Sequence, residues 1–399
     1  MSDVVVVGGG IGGLATALAA ARRGHRVRVL ERAARFAEIG AGIQIAPNGI
    51  AALDRLGLGD RVRATAVRMD ALRFMDGVTG EHVVSMPLTD AYRARFGHPY
   101  VVVHRAELHT LLLDACRSTG AVELRGGSAV TGYAQDGHSA SVLLADGGRV
   151  TGDAVVGADG IHSALRRQLV GDGDPRVSGI AVYRAVLPMD RVPEEFRGAN
   201  VTWWAGPSCH FVHYPIAGGT ALNLAASWDG GLTEPFAGVP VPAARVLDRL
   251  AGLTGEAPTR LLRLGEGWKS WMLVDRDPVD DWTDGRVTLL GDAAHPMLHY
   301  AAQGACQALE DAVLLGDLLD GPPGRLPARL RAYNEQRRER TAAVQLASRE
   351  SIRLWHARGV AAKTRNALLS AMSATDLHDR VAWMHTGPDH AGATPAEGP

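Results

Sequence analysis

Residues 3 to 13 constrain the chain most: a β-branched run, DVVVV, breaks on GGGIGG and passes directly into the helix-forming LATALAAARRG. A strand that turns into a helix within so few residues needs glycine at fixed places. Gly8, Gly10 and Gly13 satisfy GxGxxG, in which one glycine permits the turn, one admits a pyrophosphate to the backbone and one lets helix and strand pack closely. The free amides of the helix N-terminus then face the phosphates. The next run, HRVRVLER, reads as a parallel strand ending at Glu31, 31 − 13 = 18 residues past the third glycine. There a carboxylate accepts hydrogen bonds from a ribose diol. In a chain with 48 glycines the turn alone is equally an ordinary glycine turn. Strand, helix and acid together make it a dinucleotide site. An acid at this place suits an unphosphorylated adenosine ribose, which leaves NAD and FAD both open.

The 399 residues are enough for two or three domains. Forty-two basic against 43 acidic residues leave a net charge of −1, and no polybasic arm is present, so no nucleic-acid partner is expected. Mean hydropathy of −0.02 argues against wholesale disorder. No apolar run reaches the ~18 residues of a membrane span. The start lacks a secretory pattern, and Cys116, Cys209 and Cys306 are odd in number without CxxC spacing. A reducing cytoplasm is the expected setting.

Two later segments repeat the idea of a buried strand ending on glycine and aspartate. VVGADGIHSALRRQL carries Asp159, and VTLLGDAAHPM carries Asp292 and Pro296. Ligands of open α/β sheets lie at such carboxyl ends, although either aspartate alone reads equally as a helix cap. No second GxGxxG exists, which argues against a separate nicotinamide domain. Between these segments, VYRAVLP, VTWWAGP, CHFVHYP and ALNLAAS alternate with Gly and Pro turns, as in an antiparallel sheet.

With GGGIGG and Glu31, EIGAGIQIAPN, the arginine of VVVHRAEL, GADGIHSALR and GDAAHP on one chain, the sequence resembles the class A flavoprotein aromatic hydroxylases. The resemblance runs from about residue 4 to 345. YVVVHRAELH, GPSCHFVHYP and VLLGDAAHP with LEDA are most similar to the 3-hydroxybenzoate 6-hydroxylases and 6-hydroxynicotinate 3-monooxygenases. It implies an α/β fold: a GxGxxG Rossmann-like FAD-binding domain (1–72, 100–174 and 276–325) carrying an inserted, mostly antiparallel β-sheet substrate domain (73–99 and 175–275). C-terminal helices (326–385) and a disordered tail (386–399) follow. The helices suit either a homodimer contact or a cover over the flavin domain, with their arginines solvated.

The resemblance also implies roles. Glu31 would hold the adenosine ribose of FAD, Arg105 would lie along the cofactor, Asp159 near the pyrophosphate, Asp292 at the ribityl or pyrophosphate region, and Pro296 beside the flavin ring. Gln44 and Gly304 would also lie at the cofactor, and Arg166 would help admit the nicotinamide. The family follows GDAAHP with GQG, whereas this chain has Ala302, Gln303, Gly304.

Side chains cannot activate dioxygen, so a flavin must carry that step. In the family, NADH or NADPH reduces FAD, and O2 is trapped as a C4a-hydroperoxide that attacks a ring carbon activated by loss of a phenolic proton. The implied reaction is 3-hydroxybenzoate to gentisate, with decarboxylative hydroxylation of 6-hydroxynicotinate or salicylate as alternatives and a non-catalytic dinucleotide-binding protein as a remote one. CHFVHYP offers a proton acceptor. On a strand His210, Val212 and Tyr214 share one face, and an imidazole titrating near neutrality suits the task. The same pair in an arbitrary strand would be ordinary sheet residues. His299, Tyr300 and Gln303 follow GDAAHP and are candidates for the substrate pocket. Trp203, Trp204 and Phe211 read as core, and His213 as structural. No metal-ligand spacing occurs, so no metal is expected.

Overall fold

The computed structural model describes residues 1–37 and 42–387. Positions 38–41 of EIGAGIQIAPN, and 388–399 of the expected tail, lie outside the described residues. Strand Asp3–Val7 lies between Arg26–Leu30 and Ala154–Gly157 and is parallel to both. The full sheet runs Thr283–Asp284, Val287–Leu289, Ala154–Gly157, Asp3–Val7, Arg26–Leu30, Val122–Arg125. Val4, Val5 and Val6 are wholly inaccessible, which is why the strand is an unbroken apolar run rather than an alternating one. The α/β fold expected from the first forty residues is therefore present. Helix Ile11–Arg22 packs against helix Gly304–Leu319 so closely that a Cβ on Gly316 would lie 2.7 Å from the Cβ of Ala19.

The second sheet has eight strands in the order Val239–Pro240, Lys269–Asp275, Arg176–Pro188, Ala221–Asp229, Cys209–Ile216, Asn200–Gly206, Ala71–Asp76, His82–Pro87. Only the pair Ala71–Asp76 and Asn200–Gly206 is parallel. Every residue of Cys209–Ile216 is buried, because both faces are covered. Cys209 and Phe211 join Trp204, Leu224, Leu261 and Trp268 in a core behind the sheet. Removing the Phe211 ring would cost roughly 3–5 kcal/mol. His210, Val212 and Tyr214 face the other way.

The C-terminal segment forms helices Leu326–Trp355, Gly359–Ser370 and Ala374–His385. Gln345 donates to the Pro296 carbonyl and Ser348 to the Leu298 carbonyl, so the long helix is fastened to the segment after GDAAHP. Its end brings Trp355 and His356 against the eight-stranded sheet, with the Trp355 ring 5.3 Å from that of Trp203. The arginines expected on a solvated face are partly interior: Arg337 is only 2% exposed and is bound to both Glu310 and Asp311. Among the described residues no helix is long and apolar enough to cross a membrane, and no group of three His, Cys, Asp or Glu could hold a metal ion.

Candidate active site

The glycine turn is built by close approach. Gly8 has φ of +104°, and a Cβ there would fall 2.2 Å from the Ala158 carbonyl oxygen; one on Gly13 would fall 2.0 Å from the Gly8 oxygen. Gly8 thus joins the turn to the GADG segment, and Gly13 seats the helix on the strand. Gly10 is the N-cap of the helix. Glu31 accepts from the Gly9 amide at 2.8 Å and from the Ala33 amide at 2.9 Å, which fixes its carboxylate at the strand end. The His109 ring donates to the Gly9 carbonyl at 2.8 Å, a brace for the turn that nothing in the sequence signalled.

The two aspartate segments are tied together behind the turn. Asp159 accepts from the Ser163 hydroxyl and the Ala164 amide, and so helps cap helix Ala164–Leu169. Burial raises its pKa, and those hydrogen bonds only partly offset it. Arg166, expected to help admit the nicotinamide, is instead wholly buried: it pairs with Asp172 and donates to the Ala293 and Ala294 carbonyls. Asp292 is exposed, and Gly291 before it donates its amide to Asp311 at 3.0 Å. Asp311 also accepts from His295 at 2.6 Å and Arg337 at 2.6 Å. Burial alone would raise the Asp311 pKa, but the His295 and Arg337 partners outweigh it and hold the carboxyl well below its ordinary value. His295 therefore orients the turn from beneath.

A cavity of about 820 Å³ joins these parts to the eight-stranded sheet. Gly8, Gly10, Glu31, Gln44, Arg105, Asp159, Asp292 and Gly304 line it, as do His210, Tyr214, His299, Tyr300 and Gln303. Two expectations need correction. Pro296 is buried but off the cavity wall, with its carbonyl taken by Gln345. Gln303 is on the wall as expected, but its side-chain amide is not free, being bound to Asn48 and Gln307 in a buried network. Gln44 lies on strand Gly42–Ile45 rather than a turn, and accepts from the Tyr100 hydroxyl at 2.6 Å. Ala302, standing where the family has glycine, has φ of +52°, a conformation costing a non-glycine residue about 1–2 kcal/mol.

At the sheet, His210 Nδ1 lies 2.9 Å from His356 Nε2, and the His299 ring stacks on Tyr300 with centroids 4.9 Å apart. Burial first, then His356 and His299, push the His210 pKa well below its ordinary value. His210 is neutral at neutral pH rather than titrating there, contrary to expectation. Burial likewise lowers His299 to about 3 and His356 to about 4. The Tyr214 hydroxyl donates to the Gly42 carbonyl at 2.9 Å, and burial raises its pKa. Trp203, expected in the core, lines the cavity, whereas Trp204 and Phe211 lie in the core behind it. His213 shares that rear side, with its ring edge-on to Phe196.

The profile of a family described as FAD binding domain matches residues 1–348. The chain belongs to this family. It is an FAD-dependent monooxygenase. It is 47% identical to 3-hydroxybenzoate 6-hydroxylase 1 of Aquipseudomonas alcaligenes, over 96% of this chain and 97% of that one. It is 41% identical to 3-hydroxybenzoate 6-hydroxylase of Polaromonas naphthalenivorans, over 96% and 95%. Among solved structures, Klebsiella pneumoniae HpxO complexed with FAD and uric acid superposes with a TM-score of 0.84 at 25% identity, over 97% of each chain.

The residues of this FAD-dependent enzyme fit the cofactor. The turn leaves backbone amides without side chains above them, the Glu31 carboxylate is fixed beside them, and the cavity continues from there to the second sheet. A Cβ on Gly9 would lie 2.5 Å from the Phe36 ring, so the turn tolerates no bulk. Sequence reasoning missed Trp355 and His356, which reach the site from a helix more than 140 residues away in sequence, and Arg184 on strand Arg176–Pro188.

Proposed function

We propose that this monooxygenase hydroxylates 3-hydroxybenzoate at carbon 6 to give gentisate. One ring C–H, dioxygen, NADH and a proton become one ring C–OH, NAD⁺ and water. The observation that carries the reading is the placement of His210 and Tyr214 on one cavity-facing side of one strand. Full-length identity of 47% to a 3-hydroxybenzoate 6-hydroxylase supports it.

FAD, when bound, supplies electron transfer from NADH to dioxygen, which no side chain performs. Gly8, Gly10 and Glu31 would hold its adenosine end, with Gly13 setting the turn. Arg105, Asp159, Asp292, Gln44 and Gly304, which line the same cavity, would hold the rest. The substrate hydroxyl donates to the neutral imidazole of His210. As its proton leaves, charge moves onto the ring carbon para to the oxygen, which is carbon 6, and makes that carbon electron-rich. The proton can pass from His210 Nδ1 to His356 Nε2, 2.9 Å away. Tyr214, whose own proton is committed to the Gly42 carbonyl, stands on the same wall as His210 and fixes the edge of the space beside it. His299 and Tyr300 close the wall.

The reading includes the division of the chain into a discontinuous FAD-binding part and a substrate part. It is supported by the cavity lying between the parallel sheet and the eight-stranded one. A reducing cytoplasm belongs to it too, as Cys116, Cys209 and Cys306 are all buried free thiols. The test is NADH oxidation by the yellow holoenzyme across a panel of monohydroxylated benzoates and nicotinates. Oxidation should accelerate most with 3-hydroxybenzoate. A colourless protein indifferent to every ring acid would be a dinucleotide-binding scaffold instead.

A further inference from the structure

Arg184 stands in a straight row across the second sheet. Trp203 pairs with Val212, Val212 with Ala225, and Ala225 with Arg184. Residues directly opposite one another on adjacent strands share a face, and all four of these line the cavity. His210 and Tyr214 flank Val212 on the same face. Neighbouring strands are about 4.8 Å apart, so the Arg184 backbone lies roughly two strand spacings from that of Val212. Only the methyl group of Ala225 stands between.

This guanidinium is half-buried and, among the described residues, has no counterion. Its Nε is sealed from water and has no hydrogen-bond partner. Among the described residues no carboxylate forms an ion pair with it. Among the described residues the acids on the cavity wall are Glu31, Asp159 and Asp292, all on the glycine-turn, GADG and GD segments. Glu31 and Asp159 are already bonded to backbone amides. Burial, reinforced by Arg105 and opposed by Tyr214, pulls the Arg184 pKa below its ordinary value. Arg184 also contributes to lowering His299, so both look into the same space. Arg184 is half-buried, with its Nε wholly sealed, and a cation drawn that far from water is costly unless an anion meets it. The missing partner is therefore an anion that enters the cavity.

We infer that Arg184 anchors the carboxylate of the ring substrate and is the residue that selects ring acids over uncharged phenols. This rests on reading the cavity as an aromatic-hydroxylase site. The ring would lie over the Ala225 floor, its carboxylate at the guanidinium and its hydroxyl at His210, so the carbon to be oxygenated is fixed from two ends. A planar fork that meets a carboxylate through two parallel hydrogen bonds sets the ring's rotation as well as its affinity. Arg184 touches substrate on this account and acts as a specificity determinant rather than a proton carrier.

The test uses FAD-loaded wild type, Arg184→Met and Arg184→Lys, titrated with 3-hydroxybenzoate and with its uncharged analogue 3-hydroxybenzamide, read by flavin absorbance. Arg184→Met should weaken benzoate binding on the order of 100-fold, while the amide changes by less than about threefold and FAD content is kept. Arg184→Lys should recover part of the acid preference, since it restores charge without the fork. Equal losses for acid and amide, an unchanged benzoate affinity, or a selective loss of FAD would each overturn the assignment. Should the methionine variant fail to fold, the lysine variant decides by the same comparison: a tenfold or greater fall in the acid-to-amide preference supports it, and none refutes it. A wild type that binds neither ring would instead bring down the functional reading itself.

Discussion

His210 and His356 meet through their ring nitrogens at 2.9 Å, one on a central strand of the second sheet and the other just past the end of the longest helix. On the proposed mechanism this contact gives the C-terminal helices a part in the chemistry. Without it, His210 would face the substrate with no neighbour to which a proton could move. Replacing His356 with phenylalanine should lower the hydroxylation rate by roughly tenfold or more while leaving FAD affinity unchanged. Product formed per NADH consumed is the measurement. An unaltered rate and yield would remove His356 from the proton path.

The buried histidines set an acid limit on stability. His213, His299 and His385 are lowered to about 3 and His356 to about 4, in each case by burial first. Their folded pKa values lie below the ordinary 6.5, so the unfolded chain takes up protons that the folded one refuses. Stability is therefore fully present above about pH 6.5 and is lost progressively as pH falls from there toward about 3. Each such group contributes a slope of up to about 1.4 kcal/mol per pH unit in that window. The thermal midpoint of the FAD-saturated enzyme should fall clearly between pH 7 and pH 5. A flat profile would show that these imidazoles are protonated in the folded protein.

Glu31 accepts from the Gly9 and Ala33 amides and lines the cavity, where the proposed role puts the adenosine ribose. Glu31→Ala should weaken FAD binding by about 10- to 100-fold, with Glu31→Gln falling between. Equilibrium dialysis of the apoprotein against FAD measures this directly. Equal affinity in all three proteins would refute the ribose assignment.

Arg337 neutralises two buried carboxylates, Glu310 and Asp311, the second of which holds His295 and the Gly291 amide. Arg337→Met leaves Glu310 with Arg340 and Asp311 with His295 as their remaining ionic partners, and should cost about 3 kcal/mol. Urea unfolding gives the number. The GD turn should loosen along with it, so FAD retention falls too.

Much of this site could be read from the chain because its parts are local. A strand, three glycines and Glu31 fall within thirty residues, and the period of two on CHFVHYP put His210 and Tyr214 on one face. What escaped depends on pairing between distant segments. Arg184 belongs to the pocket only through its register with Ala225 and Val212, and VYRAVLP contains no signal of that register. His356 arrives by tertiary docking of a helix whose arginines suggest a solvated surface. Pro296 and Gln303 sit in the right segment, but the Pro296 carbonyl is taken by Gln345, and Gln303, although on the wall, has its amide taken by Asn48. Titration was the least legible property, since the His210 shift comes from burial that sequence does not report.

The most direct test is the product made from 3-hydroxybenzoate by the FAD-loaded enzyme with NADH under ¹⁸O₂, identified by mass spectrometry. The account predicts gentisate, with its carboxyl group kept and one labelled oxygen at carbon 6. Release of the carboxylate as carbon dioxide, or NADH consumption with no label in the ring, would contradict it.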